Sequence, residues 1–195
     1  FLISDPILRN TDYYHFFGGV KGTLEGINYL ARVGYKKAKD LALFQATPDS
    51  IPKFEVLYDK VNIISLHASL SGEVANNLSL TGTLDQHIYS PENQEKAWLL
   101  PAFTLQIGAR YLMLDEKLAI KASLFTENGI PYLNSEGVTE RLNALFDLSV
   151  GADYSIAENL GAFVSINNLA NNQRQRWTNY PVLGWNILAG INTRF

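Results

Sequence analysis

The sequence contains no cysteine. Disulfides, thiolate chemistry and cysteine-based metal sites are therefore excluded. No run of about 18 apolar residues occurs, which excludes a transmembrane helix. Helical periodicity is missing over any useful length. Neither charge sign dominates: the formal net charge is −3. The charges are spread along the chain, so there is no basic footprint for nucleic acid. The three histidines, His15, His67 and His87, lack metal-ligand spacing, and nothing else calls for a metal or cofactor. Residues 1–10 (FLISDPILRN) lack the charged n-region and apolar core of a signal peptide. They read as the start of a mature or shortened chain.

What the chain has in abundance is alternation. It is 47% hydrophobic, yet its mean hydropathy is only −0.04. Along 183–195, Leu183, Trp185, Ile187, Ala189, Ile191, Thr193 and Phe195 share one face. Gly184, Asn186, Leu188, Gly190, Asn192 and Arg194 share the other. Residues 141–156 alternate in the same way, with Leu145 the only apolar intruder on the polar face. The period of two predicts nine strands, at about 13–23, 25–37, 54–73, 78–89, 97–113, 118–128, 141–156, 160–168 and 183–195. Residues 1–12, with Asp5-Pro6 and Asn10-Thr11-Asp12, read as a loop or the remnant of a preceding strand.

Connections alternate too. Short turns lie near 23–26, 74–78, 114–118 and 156–160, and longer polar loops near 38–53, 90–96, 129–140 and 169–182. Three of the turns (VANNL, LDEKL, IAENL) repeat one pattern, as the turns of any meander do. The regular exchange of short and long is the asymmetry of a membrane barrel, with short periplasmic turns and long external loops. Segments of ten or more residues also suit tilted membrane strands better than the shorter strands usual in globular sheets. Tyr89, Trp98 and Trp185 fall at loop-side strand ends and Tyr111, Tyr154 and Phe195 near turn-side ends, matching two interfacial girdles.

The expected fold is thus an all-β, antiparallel up-and-down transmembrane barrel in the bacterial outer membrane. Its apolar face meets lipid, and its polar face, with Arg32, Lys36, His67, Asp85, Arg110, Lys121, Asp147, Asp153 and Arg194, lines a watery interior. A soluble ligand-carrying barrel has the same alternation with the faces exchanged. Strand direction adds a count. If Phe195 ends at the periplasm, the first of nine strands starts outside, whereas closed bacterial barrels have an even number. Residues 13–195 then form the C-terminal section of a larger barrel. Nine strands alone would leave two unpaired edges in lipid.

Catalytic constellations are weak. Ser65 and Ser69 flank His67 at two-residue spacing on one strand face, about 6–7 Å away, too far for a direct hydrogen bond. No GxSxG occurs, and Gly18-Gly19 and Gly22 precede no helix that would make a phosphate loop. His67 and Asp85, with His87 nearby, read as a cross-strand polar pair rather than an ion site. The loop 170–182 holds Arg174, Arg176, Trp177 and Tyr180, the candidates for an external ligand-binding mouth.

The end of the chain resembles the last hairpin of a TonB-dependent outer-membrane receptor. The matching residues are 163–172 (FVSINNLANN), then Trp177, Tyr180-Pro181 and 184–195 (GWNILAGINTRF). The Asn-Leu-x-Asn element, Asn168-Leu169-Ala170-Asn171, is the most specific part. The Pro-Gly-Arg common before the family's last strand is Pro181-Val182-Leu183-Gly184 here, a mark of a divergent branch. The resemblance implies a plugged barrel of the 22-stranded class that takes up a scarce ligand, such as an iron chelate, vitamin or glycan. It also implies partners: outer-membrane lipid, the barrel-assembly machinery acting on the last strand with Phe195 as signal, and a TonB-type energy coupler acting through an N-terminal part not among these residues. A non-transporting structural or assembly barrel is the alternative.

Overall fold

A computed structural model describes residues 9–47, 53–172, 175–177 and 180–194. Thirteen strands form in the order β1 (Asp12–Leu24), β2 (Ile27–Ala46), β3 (Phe54–Ala75), β4 (Leu78–Pro91), β5 (Phe103–Met113), β6 (Leu118–Asn128), β7 (Pro131–Leu133), β8 (Thr139–Arg141), β9 (Leu145–Ala157), β10 (Leu160–Asn167), β11 (Gln175–Trp177), β12 (Tyr180–Pro181) and β13 (Asn186–Thr193). Nine of them make one antiparallel sheet, β1-β2-β3-β4-β5-β6-β9-β10-β13. The remaining four form two small hairpins, β7–β8 and β11–β12, inside the long loops. Among the described residues, β1 and β13 do not pair with each other, and the sheet is open.

The short turns obey their local chemistry. Glu25-Gly26 joins β1 to β2 with φ of +49° and +82°, both positive as a type I′ hairpin requires. At the next turn, Asn77 takes φ of +64° and its backbone N–H donates to the Glu73 carboxylate at 2.8 Å. A bulge between Glu73 and Ala75 supplies the extra residue that sets the β3–β4 register.

Register decides the faces. The rows Val33–Leu66, Ala109–Ala122 and Val164–Ala189 lie on one side of the sheet. Arg32–His67, Gly108–Ser123 and Asn167–Asn186 lie on the other. The apolar side is bare: Val20, Leu70, Ile187 and Ile191 remain 58–72% exposed. In water, so much uncovered apolar surface would be a large interaction patch; in a bilayer it is the contact with lipid. The polar side carries a trough of about 480 Å³ lined by Thr81, Arg110, Lys121, Ser123, Ser149 and Ser165. The polar face is the one that a barrel with a lipid-facing apolar exterior turns inward. A soluble carrier barrel needs the reverse assignment.

The buried apolar residues gather at the long-loop end, with Ala119 the exception. There β2 and β3 run beyond the rest of the sheet, past a bulge between Ala38 and Leu41 where Asp40 adopts φ of +54°. This extension carries two small cores. Leu43 and Val61 pack with Ala97 and Trp98, and Ala46 and Phe54 pack with Leu99, Ile130 and Leu142.

Three sequence expectations change here. β2 continues to Ala46 instead of ending near 37, because the hairpin extension is covered by other loops. The strand expected over 97–113 begins at Phe103, since Ala97, Trp98 and Leu99 fold into the loop cores. Trp98 is therefore no girdle residue: it is 3% exposed, and its Nε1–H donates to Gln94 Oε1 at 3.2 Å. Likewise 139–141 forms β8, Leu142 is buried, and the sheet strand starts at Leu145.

Candidate functional site

Two regions carry the polar chemistry: the loop layer and the polar wall beneath it. In the loop layer, Asp59 is buried on the β3 extension and organises the start of the β4–β5 loop. It accepts the N–H groups of Lys60 (2.7 Å), Asn93 (2.9 Å) and Gln94 (2.8 Å) and the Asn93 side-chain amide (2.7 Å). Burial alone would raise its pKa, but the hydrogen bonds from Gln94, Asn93 and Lys60 outweigh it and hold the carboxyl below the usual aspartate value.

Asn168 is the second buried hub. It adopts φ of +52°, a left-handed conformation that asparagine tolerates. Its side-chain amide donates to the carbonyls of Asn172 (2.9 Å) and Leu183 (2.8 Å), and its Oδ1 accepts the Asn172 N–H (2.9 Å). Asn171, at φ of +48°, accepts the Trp185 N–H at 3.2 Å. The Asn-Leu-x-Asn element thus ties both ends of the β10–β13 loop together, which gives its spacing a physical reason.

The middle of that loop is fastened elsewhere. Trp177 packs against Phe44 and Phe54 of the β2–β3 extension. Arg176 Nε lies 3.4 Å from Glu127, whose carboxylate is buried at the top of β6. Tyr180 stacks at 6.0 Å from Phe54 and remains 46% exposed. Of the four mouth candidates, Arg176, Trp177 and Tyr180 therefore converge on the β2–β3 extension and β6, while Arg174 lies outside the described residues, as does Phe195. On the β7–β8 hairpin, Glu140 accepts from the Tyr132 hydroxyl and from the Asn134 amide. A cavity of about 420 Å³ opens where the loops meet the wall, between His87, Tyr89, Glu95, Lys96 and Arg141.

On the wall, His67 sits directly opposite Asp85, with Nδ1 and Oδ1 2.7 Å apart. Arg32 is the register partner of His67 on the other side. Lys121 forms an ion pair with Asp153. Asp147 accepts the Ser149 hydroxyl at 2.7 Å, and Arg110 faces Lys121 across β5–β6. Ser65 and Ser69 stay on the His67 face, with no hydrogen bond to its ring. Among the described residues, no group of three or more His, Asp or Glu side chains is arranged to hold a metal ion.

Asp59 and Glu127 were not evident as sites in the sequence. The only signal for Asp59 is a carboxylate on a strand face that otherwise reads Leu57, Val61 and Ile63. Glu127 has no local signal, because its partner lies in a loop 49 residues away.

No family model and no curated protein sequence matches the chain. Solved structures match it in shape. The copper transporter OprC aligns with TM-score 0.73 and 10% identity over 95% of this chain and 31% of its own. The pyoverdine outer-membrane receptor FpvA from Pseudomonas aeruginosa PAO1 aligns with TM-score 0.71 and 16% identity over 95% and 30%. The FrpB iron transporter from Neisseria meningitidis aligns with TM-score 0.71 and 15% identity over 95% and 31%. This chain has the barrel fold of TonB-dependent outer-membrane receptors. It spans less than a third of the length of these structures.

Proposed function

We propose that these residues form the C-terminal barrel section of an outer-membrane transporter of the TonB-dependent type, which takes up a scarce ligand. The observation that carries this reading is the combination of faces: a bare apolar side, a polar side, and a folded loop layer above them. A wall lined by hydroxyls, amides and paired charges suits passage of a hydrated solute. The relatives in fold are named as transporters or receptors, which supports a transport role over an enzymatic one. In this reading the open edge of β1 pairs with further strands of the same barrel, residues 1–12 link to them, and energy coupling acts through a separate N-terminal part. Arg176 and Tyr180 are the mouth residues with exposed faces that meet ligand, and Trp177 anchors the loop that presents them. Arg174 belongs to the same loop, and Phe195 serves as the assembly signal.

The test is uptake in cells. A strain deleted for the full gene is offered labelled iron chelates, cobalamin and oligosaccharides, with and without a protonophore. Loss of protonophore-sensitive uptake of one class, restored by the gene, is the expected result. Unchanged uptake of every class together with a leaky outer membrane would favour a structural barrel instead.

A further inference from the structure

All three histidines of the chain fall on one patch of the polar wall, although they lie far apart in sequence. His15 on β1 is the register partner of Lys36 on β2. One step along, Gly34 lies between Phe17 and Ser65, and Ser65 faces His87 on β4. One step further, Arg32 faces His67, which is held by Asp85.

At the centre of the patch Ser65 and His15 close over the Gly34 backbone: a Cβ there would sit 2.9 Å from Ser65 Oγ and 3.1 Å from His15 Nε2. Two cations flank this position without an anionic partner. Lys36 Nζ lies 5.0 Å from the Tyr13 ring centroid, and Arg32 Cζ lies 5.4 Å from that of Phe17. No ion pair among the described residues includes either side chain. The patch's one carboxylate, Asp85, already accepts from His67 at 2.7 Å. Elsewhere on the wall Lys121 is matched by Asp153, and Arg110 beside it, like Arg32 and Lys36, is in no ion pair among the described residues but has no aromatic ring under it.

Stacking on an aromatic face fixes a cation's position while leaving its N–H donors free. A guanidinium fork and an ammonium so placed are complementary to carboxylate or phosphate oxygens. The Ser65 hydroxyl lies beside them, with only a long contact of 3.5 Å to the Gly34 carbonyl. We propose that this patch is a binding site for a multiply charged oxyanion, in which Arg32 and Lys36 hold the anion's oxygens. The inference rests on the reading of the polar wall as a transport lumen and narrows the cargo to anionic ligands.

The experiment uses the full-length protein in detergent micelles at low salt. Inorganic pyrophosphate and, as its carboxylate counterpart, tricarballylate are titrated calorimetrically. Both anions should bind. Affinity should fall at least tenfold in Arg32→Gln and in Lys36→Gln. Arg110→Gln, on another part of the wall, should bind as the wild type does. Far-UV circular dichroism checks folding, and Arg32→Lys, with the charge but not the fork, should bind at an intermediate level.

Equal weakening by Arg110→Gln would mean a diffuse lumen charge and would overturn the site. So would wild-type protein that binds neither anion, the result expected if an acidic polypeptide segment already covers the patch. Water access to the wall is measured separately by single-cysteine labelling, so failure here is distinguishable from failure of the transport reading.

Discussion

The indole of Trp177 stands edge-on to the ring of Phe54, with centroids 5.4 Å apart and planes at 86°. Phe44 meets the same indole at 5.1 Å and 73°. A loop that reads as polar is thereby pinned to the β2–β3 extension by one aromatic side chain. Trp177→Ala removes about 2 kcal/mol of apolar burial and edge-to-face contact. Amide exchange in 168–185 should speed up sharply in this variant, while exchange in β4–β6 stays slow. Unchanged exchange in the loop would show that Trp177 is not its anchor.

Asn168 holds both ends of the same loop through three hydrogen bonds. Asn168→Ala leaves two carbonyls and one N–H without their partner and puts a residue less tolerant than asparagine at φ of +52°. The cost should be about 2–3 kcal/mol, and limited proteolysis should cut between β10 and β13. Asn168→Gly relieves the backbone strain but not the lost hydrogen bonds. It should therefore be cut nearly as readily; protection equal to wild type would assign the effect to φ alone.

Asp59 makes the loop layer sensitive to acid. Its folded-state pKa lies below the unfolded value of about 3.9. Its stabilisation is therefore full above that value and is lost as pH falls through the lower folded value. The amide resonances of Asn93 and Gln94 should keep their native shifts at pH 5 and move only well below pH 4. In Asp59→Asn that titration should vanish. A midpoint above the ordinary aspartate range would contradict the hydrogen-bonded role.

The β1–β2 turn is locally suboptimal. Glu25 adopts φ of +49° just before Gly26, and asparagine tolerates that region better than glutamate. Glu25→Asn should raise the unfolding free energy by ~0.5–1 kcal/mol, seen as a higher denaturant midpoint with an unchanged slope.

The wall was legible from sequence and the loop layer was not. A half-buried strand writes its two environments into successive residues, so Ile187, Ala189 and Ile191 against Leu188, Gly190 and Asn192 reveal a strand wherever it sits. Register between hairpin neighbours follows from turn length, which is how His67 was set opposite Asp85. Trp98, Leu99 and Ile130 follow no such period, and Leu142 follows it yet leaves the sheet. They are buried by residues of other loops, and contacts of that kind leave no local signature. The pairing of Arg176 with Glu127 and the arrival of His15 beside Lys36 depend on the assembled fold in the same way.

The central claim, that the apolar face meets lipid and the polar face meets water, is directly measurable. These 195 residues contain no cysteine, so a single cysteine placed among them meets no other thiol within the section. Full-length protein in liposomes, spin-labelled in turn at Leu66, His67, Ile107, Gly108, Val164 and Ser165, reports accessibility to oxygen and to a water-soluble nickel complex. Oxygen access should dominate at Leu66, Ile107 and Val164, and nickel access at His67, Gly108 and Ser165, alternating residue by residue. Equal nickel access on both faces, or the reverse alternation, would contradict the membrane-barrel account.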